Sequence, residues 1–270
     1  MISEKLLEVA TDAALASGDR IVKYLGHLGD IRFKREKDMV TEADRLSEEI
    51  IVTKIKQAFP EHDILAEERG LVRGDGIGET EYTWVIDPLD GTTNFAHGVP
   101  IFAVSICVTN LGIPVAGVVY DPVSGELFRA EHGRGAFLND KKIAVSAVSS
   151  ISHSLVATGF PYDMSNDRDN NVRDFCRVVR EAQGTRRMGV ASLDLAYVAC
   201  GRFDGFWEPG LAPWDVAAGW VLVREAGGTV TDYQGGEFRM DNRRIVASNG
   251  IIHCELLGLL QTDRSVWGNE

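Results

Sequence analysis

A layered α+β fold is predicted by three observations. Near the N-terminus, two stretches carry apolar residues at helical spacing. Short apolar segments separated by turn residues follow, the pattern of a β-meander. Beyond about residue 150 strand-like and helix-like segments alternate, as they do where helices layer on sheets. The chain has 270 residues, 44% of them hydrophobic, enough for a large core. No internal repeat, low-complexity tract or Pro/Ser-rich linker divides it. A single domain over 1–270 is expected, with helices and antiparallel sheet in 1–150 and α/β layers in 151–270.

The first helix is expected near 3–25, where Leu6, Leu7, Ala10, Ala13, Ala14, Ile21 and Leu25 share a face. Thr41 has the character of an N-cap. Asp44 stands three residues on, and Leu46, Ile50, Ile51 and Ile55 form the buried stripe of a second helix that Pro60 ends. Strands are expected at 63–66 and 83–87. Segments 102–109 and 115–120 read as a hairpin around Asn110-Leu111-Gly112. Segments 127–130 and 136–138, with Asn139-Asp140 as a turn, extend the meander. In the second part, a strand near 154–158 precedes a helix near 170–183. A helix at 192–199 leads to a strand at 205–208, and a helix at 214–226 to a strand at 229–232. A last helix lies near 252–260. The stretch 69–80, with four glycines and several charges, reads as a mobile loop.

There are 28 Lys+Arg against 40 Asp+Glu, a formal net charge of −12. This argues against a nucleic-acid surface, which wants a basic stripe. Anionic substrates stay open, because bound metal ions reverse local charge. Cys107, Cys176, Cys200 and Cys254 are far apart in sequence, so no zinc knuckle or Cys-x-x-Cys is present, and each is expected to pack as a small apolar residue. The start of the chain lacks signal-peptide character, and no apolar run approaches membrane-spanning length. A cytoplasmic protein that meets neither membrane nor nucleic acid is expected.

The most informative run is Trp84-Val85-Ile86-Asp87-Pro88-Leu89-Asp90-Gly91-Thr92-Thr93-Asn94-Phe95. Strand-type residues lead into two carboxylates three positions apart, joined through a proline that fixes φ. Small residues with backbone N–H groups follow. Carboxylate oxygens suit hard cations, and a helix starting near Gly91 would turn free N–H groups toward a phosphate. Taken alone, the same residues also suit a turn and a helix cap.

Three further segments set acids at a strand end or a helix start: Asp38-Met39-Val40-Thr41-Glu42-Ala43-Asp44, Leu65-Ala66-Glu67-Glu68, and Trp214-Asp215-Val216-Ala217-Ala218-Gly219. In isolation each also reads as capping or solvated charge. Taken together and in order, the four segments resemble the inositol monophosphatase family over about 38–228. The stretches 84–97 and 214–228 are the most specific.

That resemblance implies a Mg²⁺-dependent, lithium-sensitive phosphomonoesterase with an α-β-α-β-α sandwich of the inositol monophosphatase and sugar phosphatase type, acting as a homodimer. It implies that Glu67, Asp87 and the Leu89 carbonyl hold one Mg²⁺, that Asp87, Asp90 and Asp215 hold a second, and that a third, weaker ion lies near Glu67. Gly91 and Thr92 would offer backbone N–H groups to the phosphate. Thr92 and Asp44 would orient the attacking water, with Glu67 beside them. A family lysine near the site matches Lys34 or Lys37, and the spacing leaves both open. The chemistry is coherent: cations held by carboxylates offset the repulsion between a phosphate dianion and hydroxide, and acidify bound water. No histidine is required, although His97 lies close in sequence.

Substrate choice is the finer question. Thr93-Asn94-Phe95 and the stretch from Arg186 to Asp194 resemble inositol phosphatases, Glu208 matches a glutamate that accepts from inositol hydroxyls, and Ala191 matches a backbone contact to the ring. Val190 departs from the small polar residue or glycine of relatives. Inositol 1-phosphate is therefore the expected substrate of a small-molecule phosphate ester hydrolase. Glycerol 2-phosphate, histidinol phosphate and fructose 1,6-bisphosphate are the alternatives. A non-catalytic regulatory or binding protein on the same scaffold is the reading of another class, and the intact acidic set argues against it.

Overall fold

The structure, a computed structural model, describes residues 2–26, 32–35, 38–76, 80–161 and 170–261. In chain order its helices are α1 (Ile2–Ile21), α2 (Glu42–Ala58), α3 (Thr92–Ala96), α4 (Val172–Glu181), α5 (Ala191–Ala199), α6 (Pro213–Glu225) and α7 (His253–Gln261). The strands of the first part are β1 (Arg32–Arg35), β2 (Asp38–Val40), β3 (Asp63–Ala66), β4 (Gly70–Val72), β5 (Tyr82–Asp90), β6 (Ala103–Asn110), β7 (Ile113–Asp121), β8 (Glu126–Glu131), β9 (Gly135–Leu138) and β10 (Lys141–Ile143). Those of the second are β11 (Leu155–Thr158), β12 (Gly184–Arg186), β13 (Gly205–Pro209), β14 (Thr229–Thr231) and β15 (Arg244–Ser248).

Eight strands form one sheet in the order β10-β9-β8-β7-β6-β5-β3-β4, and five form another in the order β12-β11-β13-β15-β14. Strand alternation then dictates the layers, because successive side chains point to opposite faces. In the larger sheet Trp84, Ile86, Val104 and Ile106 join a core with α1 and α2, while Val85, Ala103 and Cys107 join one with α5 and α6. In the smaller sheet Ala157, Phe206 and Ala247 face α5 and α6, while Val156, Trp207 and Val246 face α4 and α7. The layers run α1/α2, large sheet, α5/α6, small sheet, α4/α7, the five-layer sandwich that the resemblance implied.

Small residues let the layers approach. Ala10, Ala13, Ala14 and Ser17 line the buried face of α1. Gly117 of β7 faces α6, where an added Cβ would lie 2.5 Å from Val221 Cγ1 and 2.9 Å from the Ala218 carbonyl oxygen. Gly219 of α6 meets Leu195 of α5, with no room for a Cβ between them.

The structure departs from the sequence reading in four places. The stretch 69–80 is not a plain loop. Gly70–Val72 is an edge strand on β3, Arg73 pairs with Asp63 at 2.6 Å, and Arg69 pairs with Glu48 at 2.9 Å. The buried stripe of α2 is Ala43, Asp44, Ser47, Glu48, Ile51, Val52 and Ile55, with Leu46 and Ile50 only half-buried. Polar residues therefore take positions a packing helix would give to apolar ones. Among the cysteines Cys107 is buried, Cys200 is partly buried, and Cys176 and Cys254 are exposed, so the last two do not pack as core residues. Strands β1, β2, β10, β12 and β15 go unsignalled in the sequence. Among the described residues no helix is long and apolar enough to cross a membrane.

Gly219→Val forces α5 and α6 apart and is expected to cost about 1–3 kcal/mol of stability. Urea unfolding at fixed pH measures the loss, and an unchanged midpoint would refute the close-contact account.

Candidate active site

The site begins where two parallel strands end. β3 and β5 run side by side with Ala66 opposite Ile86, and the Glu67 N–H donates to the Ile86 carbonyl at 3.3 Å. The next residue on each strand, Glu67 and Asp87, therefore leaves the ladder beside its neighbour. Their carboxyl groups hydrogen-bond to each other.

Beyond Asp87 the β5–β6 ladder slips. Asp87 pairs with Ser105 but Asp90 with Ala103, so Pro88 and Leu89 together oppose one residue. A proline, with no N–H to give, fits such a bulge. The Leu89 N–H turns back to Asp87 Oδ1 at 3.0 Å, and Ser47 Oγ donates to the Pro88 carbonyl at 2.6 Å. Gly91 then takes φ +96°, where an L side chain is strained, and lies against Val190. It caps α3, which starts at Thr92, so the conditional helix start near Gly91 is realised.

Helix α2 supplies the next acid. Asp44 Oδ2 accepts from the Thr41 N–H at 2.7 Å and from Thr41 Oγ1 at 2.5 Å, half of a capping box. Its other oxygen accepts from Thr92 Oγ1 at 2.9 Å, and the same hydroxyl lies 3.1 Å from the Leu89 carbonyl. One turn on, Glu48 accepts from the Glu68 N–H at 2.9 Å and pairs with Arg69, which holds the chain just after Glu67.

Helices α5 and α6 close the corner from the middle layer. Asp90 Oδ2 accepts from the Ser192 N–H at 2.7 Å, and the Ala191 N–H also favours its charged form. Asp215 sits in the first turn of α6, where its Oδ2 accepts from the Ala212 N–H at 2.7 Å. The preceding Trp214 carbonyl accepts from Ser105 Oγ at 3.2 Å, and Ser105 is the residue opposite Asp87. That tether brings Asp215 to the corner.

The electrostatics record the convergence. Asp87 is pushed well above the usual carboxylate range, first by burial and then by Glu67, Asp90 and Asp215. Asp90 is pushed up to about 6 by burial, against the helix N–H groups that lower it. Burial also raises Asp44, opposed by its bonds from Thr41 and Thr92, while Glu67 adds to the rise. Glu208, on β13, is raised by burial and then by Asp215 and Asp90, with Arg187 opposing. All of the expected acidic residues thus lie in one field.

The donor set fits a hard divalent cation. It consists of carboxylates, buried at Asp87 and partly buried at Glu67, Asp90 and Asp215, and a backbone carbonyl, all oxygen. Among the described residues no group of three or more His, Cys, Asp or Glu stands in ready metal geometry. The acids are instead held to one another and to backbone amides, and it is their mutual repulsion in a desolvated corner that calls for positive charge.

Two expected neighbours look different. Val190 is buried against Gly91 and serves as packing. His97 is an exposed C-cap of α3. The side chain of Lys34 and all of Lys37 lie outside the described residues. Sequence reasoning missed Ser47 and Glu48, although both share a helical face with Asp44 at spacings of three and four. It also gave no role to Asp194, which is 1% exposed, has no hydrogen-bond partner for either oxygen among the described residues, and is raised by burial, Glu208 and Asp90.

A layered fold with this corner belongs to a phosphoric monoester hydrolase, and comparison with known proteins agrees. The family model described as "Inositol monophosphatase family" matches residues 2–264. A relative named inositol-1-monophosphatase, from Synechocystis sp., is 50% identical over 93% of this chain and 86% of its own length. A relative named Nus factor SuhB, from Pseudomonas aeruginosa, is 45% identical over 96% of both. The solved structure of inositol monophosphatase from Anabaena (Nostoc) sp. superposes with TM-score 0.88 at 46% identity, covering 96% of each chain. The chain belongs to the inositol monophosphatase family.

Proposed function

We propose that the protein hydrolyses small polyol phosphate monoesters, inositol 1-phosphate foremost, with two or three Mg²⁺ per subunit. The observation that carries this reading is the meeting of Glu67, Asp90 and Asp215 at buried Asp87. Glu67, Asp87 and the Leu89 carbonyl would hold one ion, and Asp87, Asp90 and Asp215 the other. Bound Mg²⁺ supplies charge neutralisation for the phosphate dianion and acidifies water.

The chain's own groups do the positioning. Thr92 donates its hydroxyl proton to Asp44, so a Thr92 lone pair would be left to accept from the attacking water. Asp44 Oδ2 is already taken by Thr41, which fixes the direction of that relay. The N–H groups of Gly91 and Thr92, at the start of α3, would face the phosphate oxygens. Glu208 would accept from the substrate's hydroxyls, since a carboxylate can take two vicinal donors. Ala191, first in α5, would make a backbone contact to the ring.

The Nus factor name borne by several relatives favours a second reading, a regulatory or binding protein on the same scaffold. The complete carboxylate set supports turnover over that role. We also propose a homodimer. Leu111 and Ile113, at the β6–β7 turn, are 74% and 64% exposed. They border a groove of about 490 Å³ that Trp220, Phe238 and Met240 help line, and a second copy would cover this apolar surface.

Asp215→Asn is expected to lower kcat by roughly 10²-fold or more, because one cation loses a charged ligand. Full activity in that variant would sink the two-ion assignment. In steady-state assays with Mg²⁺, inositol 1-phosphate should exceed histidinol phosphate, glycerol 2-phosphate and fructose 1,6-bisphosphate in kcat/KM, and the reverse order would replace the substrate. Sedimentation equilibrium should return twice the 29.6 kDa chain mass. A monomer at micromolar concentration would remove the dimer.

A further inference from the structure

Glu208 is a long acidic side chain at the end of a strand, yet it is only 8% exposed. What surrounds it explains why. β11 and β13 are parallel neighbours with Thr158 opposite Trp207. The residues that follow, Gly159 and Glu208, therefore stand side by side just past the ladder. An added Cβ on Gly159 would fall directly on the Glu208 carboxylate. The φ of Gly159 lies outside the left-handed region, so the backbone does not demand glycine there. The space for the carboxylate does.

A second residue holds both walls of this seat. Asn171 has φ +66°, one of three non-glycine residues with positive φ among the described residues. It is the N-cap of α4 but makes no side-chain cap bond, although capping is what asparagine does best at that position. Its amide is turned inward instead. Oδ1 accepts from Trp207 Nε1 at 2.8 Å, an orientation the indole fixes because it can only donate. Nδ2 donates to Thr158 Oγ1 at 2.8 Å and to the Gly159 carbonyl at 2.5 Å. Thr158 Oγ1 donates in turn to the Trp207 carbonyl at 2.6 Å. The network is buried and satisfied, and it ties Gly159 to the residue before Glu208. A strained backbone and a forgone cap are the marks of a constraint kept for a site.

We propose that Gly159 and Asn171 are positioning residues for substrate choice: the glycine gives the Glu208 carboxylate its seat, and the asparagine holds the two strand ends that form it. This rests on the reading of Glu208 as the polyol contact. The close approach at Gly159 and the side-chain bonds of Asn171 reach Glu208, Thr158 and Trp207, away from Asp87. Their effect should therefore appear in discrimination between esters rather than in hydrolysis as such.

The test compares kcat/KM for inositol 1-phosphate with kcat/KM for 4-nitrophenyl phosphate, which has no vicinal hydroxyls. It is run on wild type, Glu208→Gln, Gly159→Ala and Asn171→Asp, with folding followed by circular dichroism. The atoms nearest to the added Cβ of Gly159→Ala are the carboxylate end of the Glu208 side chain, so the variant is expected to fold with the carboxylate displaced. Its ratio should fall roughly tenfold, mostly through KM for the inositol ester, the scale of one misplaced charged hydrogen bond. Asn171→Asp sets an oxygen against the Gly159 carbonyl and should lower the ratio in the same direction. A lowered ratio in Glu208→Gln with wild-type ratios in both other variants overturns the seat. An unchanged ratio in Glu208→Gln overturns the polyol reading of Glu208, and the seat with it. If Asn171→Asp does not fold, Gly159→Ala decides alone.

Discussion

Crowding of negative charge at Asp87 is the constraint around which the molecule is built. The residue is 2% exposed, and Glu67, Asp90 and Asp215 all raise its pKa on top of burial. Desolvated like charges this close oppose folding. The fold meets that opposition with backbone donors. Asp44 takes the N–H of Thr41, Asp87 that of Leu89, Asp90 that of Ser192 and Asp215 that of Ala212. Three of these lie in or at the first turn of α2, α5 and α6, where helix dipoles favour negative charge. The protein's own amides thus satisfy part of each of these four carboxylates.

Geometry is held from one side by α2. Asp44, Ser47 and Glu48 share its buried face and reach three different parts of the corner: Thr92, the Pro88 carbonyl and the chain after Glu67. Ser17 of α1 bonds to Ser47 at 2.5 Å and backs the middle contact. A helix usually buries apolar residues at these spacings. Here three polar residues are buried among Ala43, Ile51 and Ile55, so one rigid element fixes the segments that carry Thr92, Asp87 and Glu67 relative to one another.

The acidic corner was legible because its residue types are chemically demanding and come in short blocks. Asp87-Pro88-Leu89-Asp90-Gly91-Thr92 needs a bulge, a positive φ and a helix start in six residues, and few other sequences supply them. What escaped notice depends on neighbours. β15 has only Ile245, Val246 and Ala247 between arginines and a serine, and it is a strand because β13 and β14 pair with it on either side. β4 looked like part of a loop because four glycines and several charges fall in 69–80, whereas Arg69 and Arg73 pair with buried carboxylates of α2 and β3. Ser47 and Glu48 lay on the same face as Asp44, but an apolar stripe through Leu46 and Ile50 hid them.

The division of the sandwich has a chemical consequence. The carboxylates at Asp87 come from the large sheet and the helices on either side of it, while Glu208 comes from the small sheet beyond α5. The two regions feel each other directly, since Asp215 and Asp90 raise Glu208, and Asp194, in α5 between them, feels both Glu208 and Asp90. A change in the small sheet can therefore move the Glu208 carboxylate without breaking the ladder that sets Glu67 against Asp87. In the reading proposed above, hydrolysis and discrimination would rest on different hydrogen-bond networks, so that one scaffold could keep a single chemistry while the ester it prefers is altered one wall at a time.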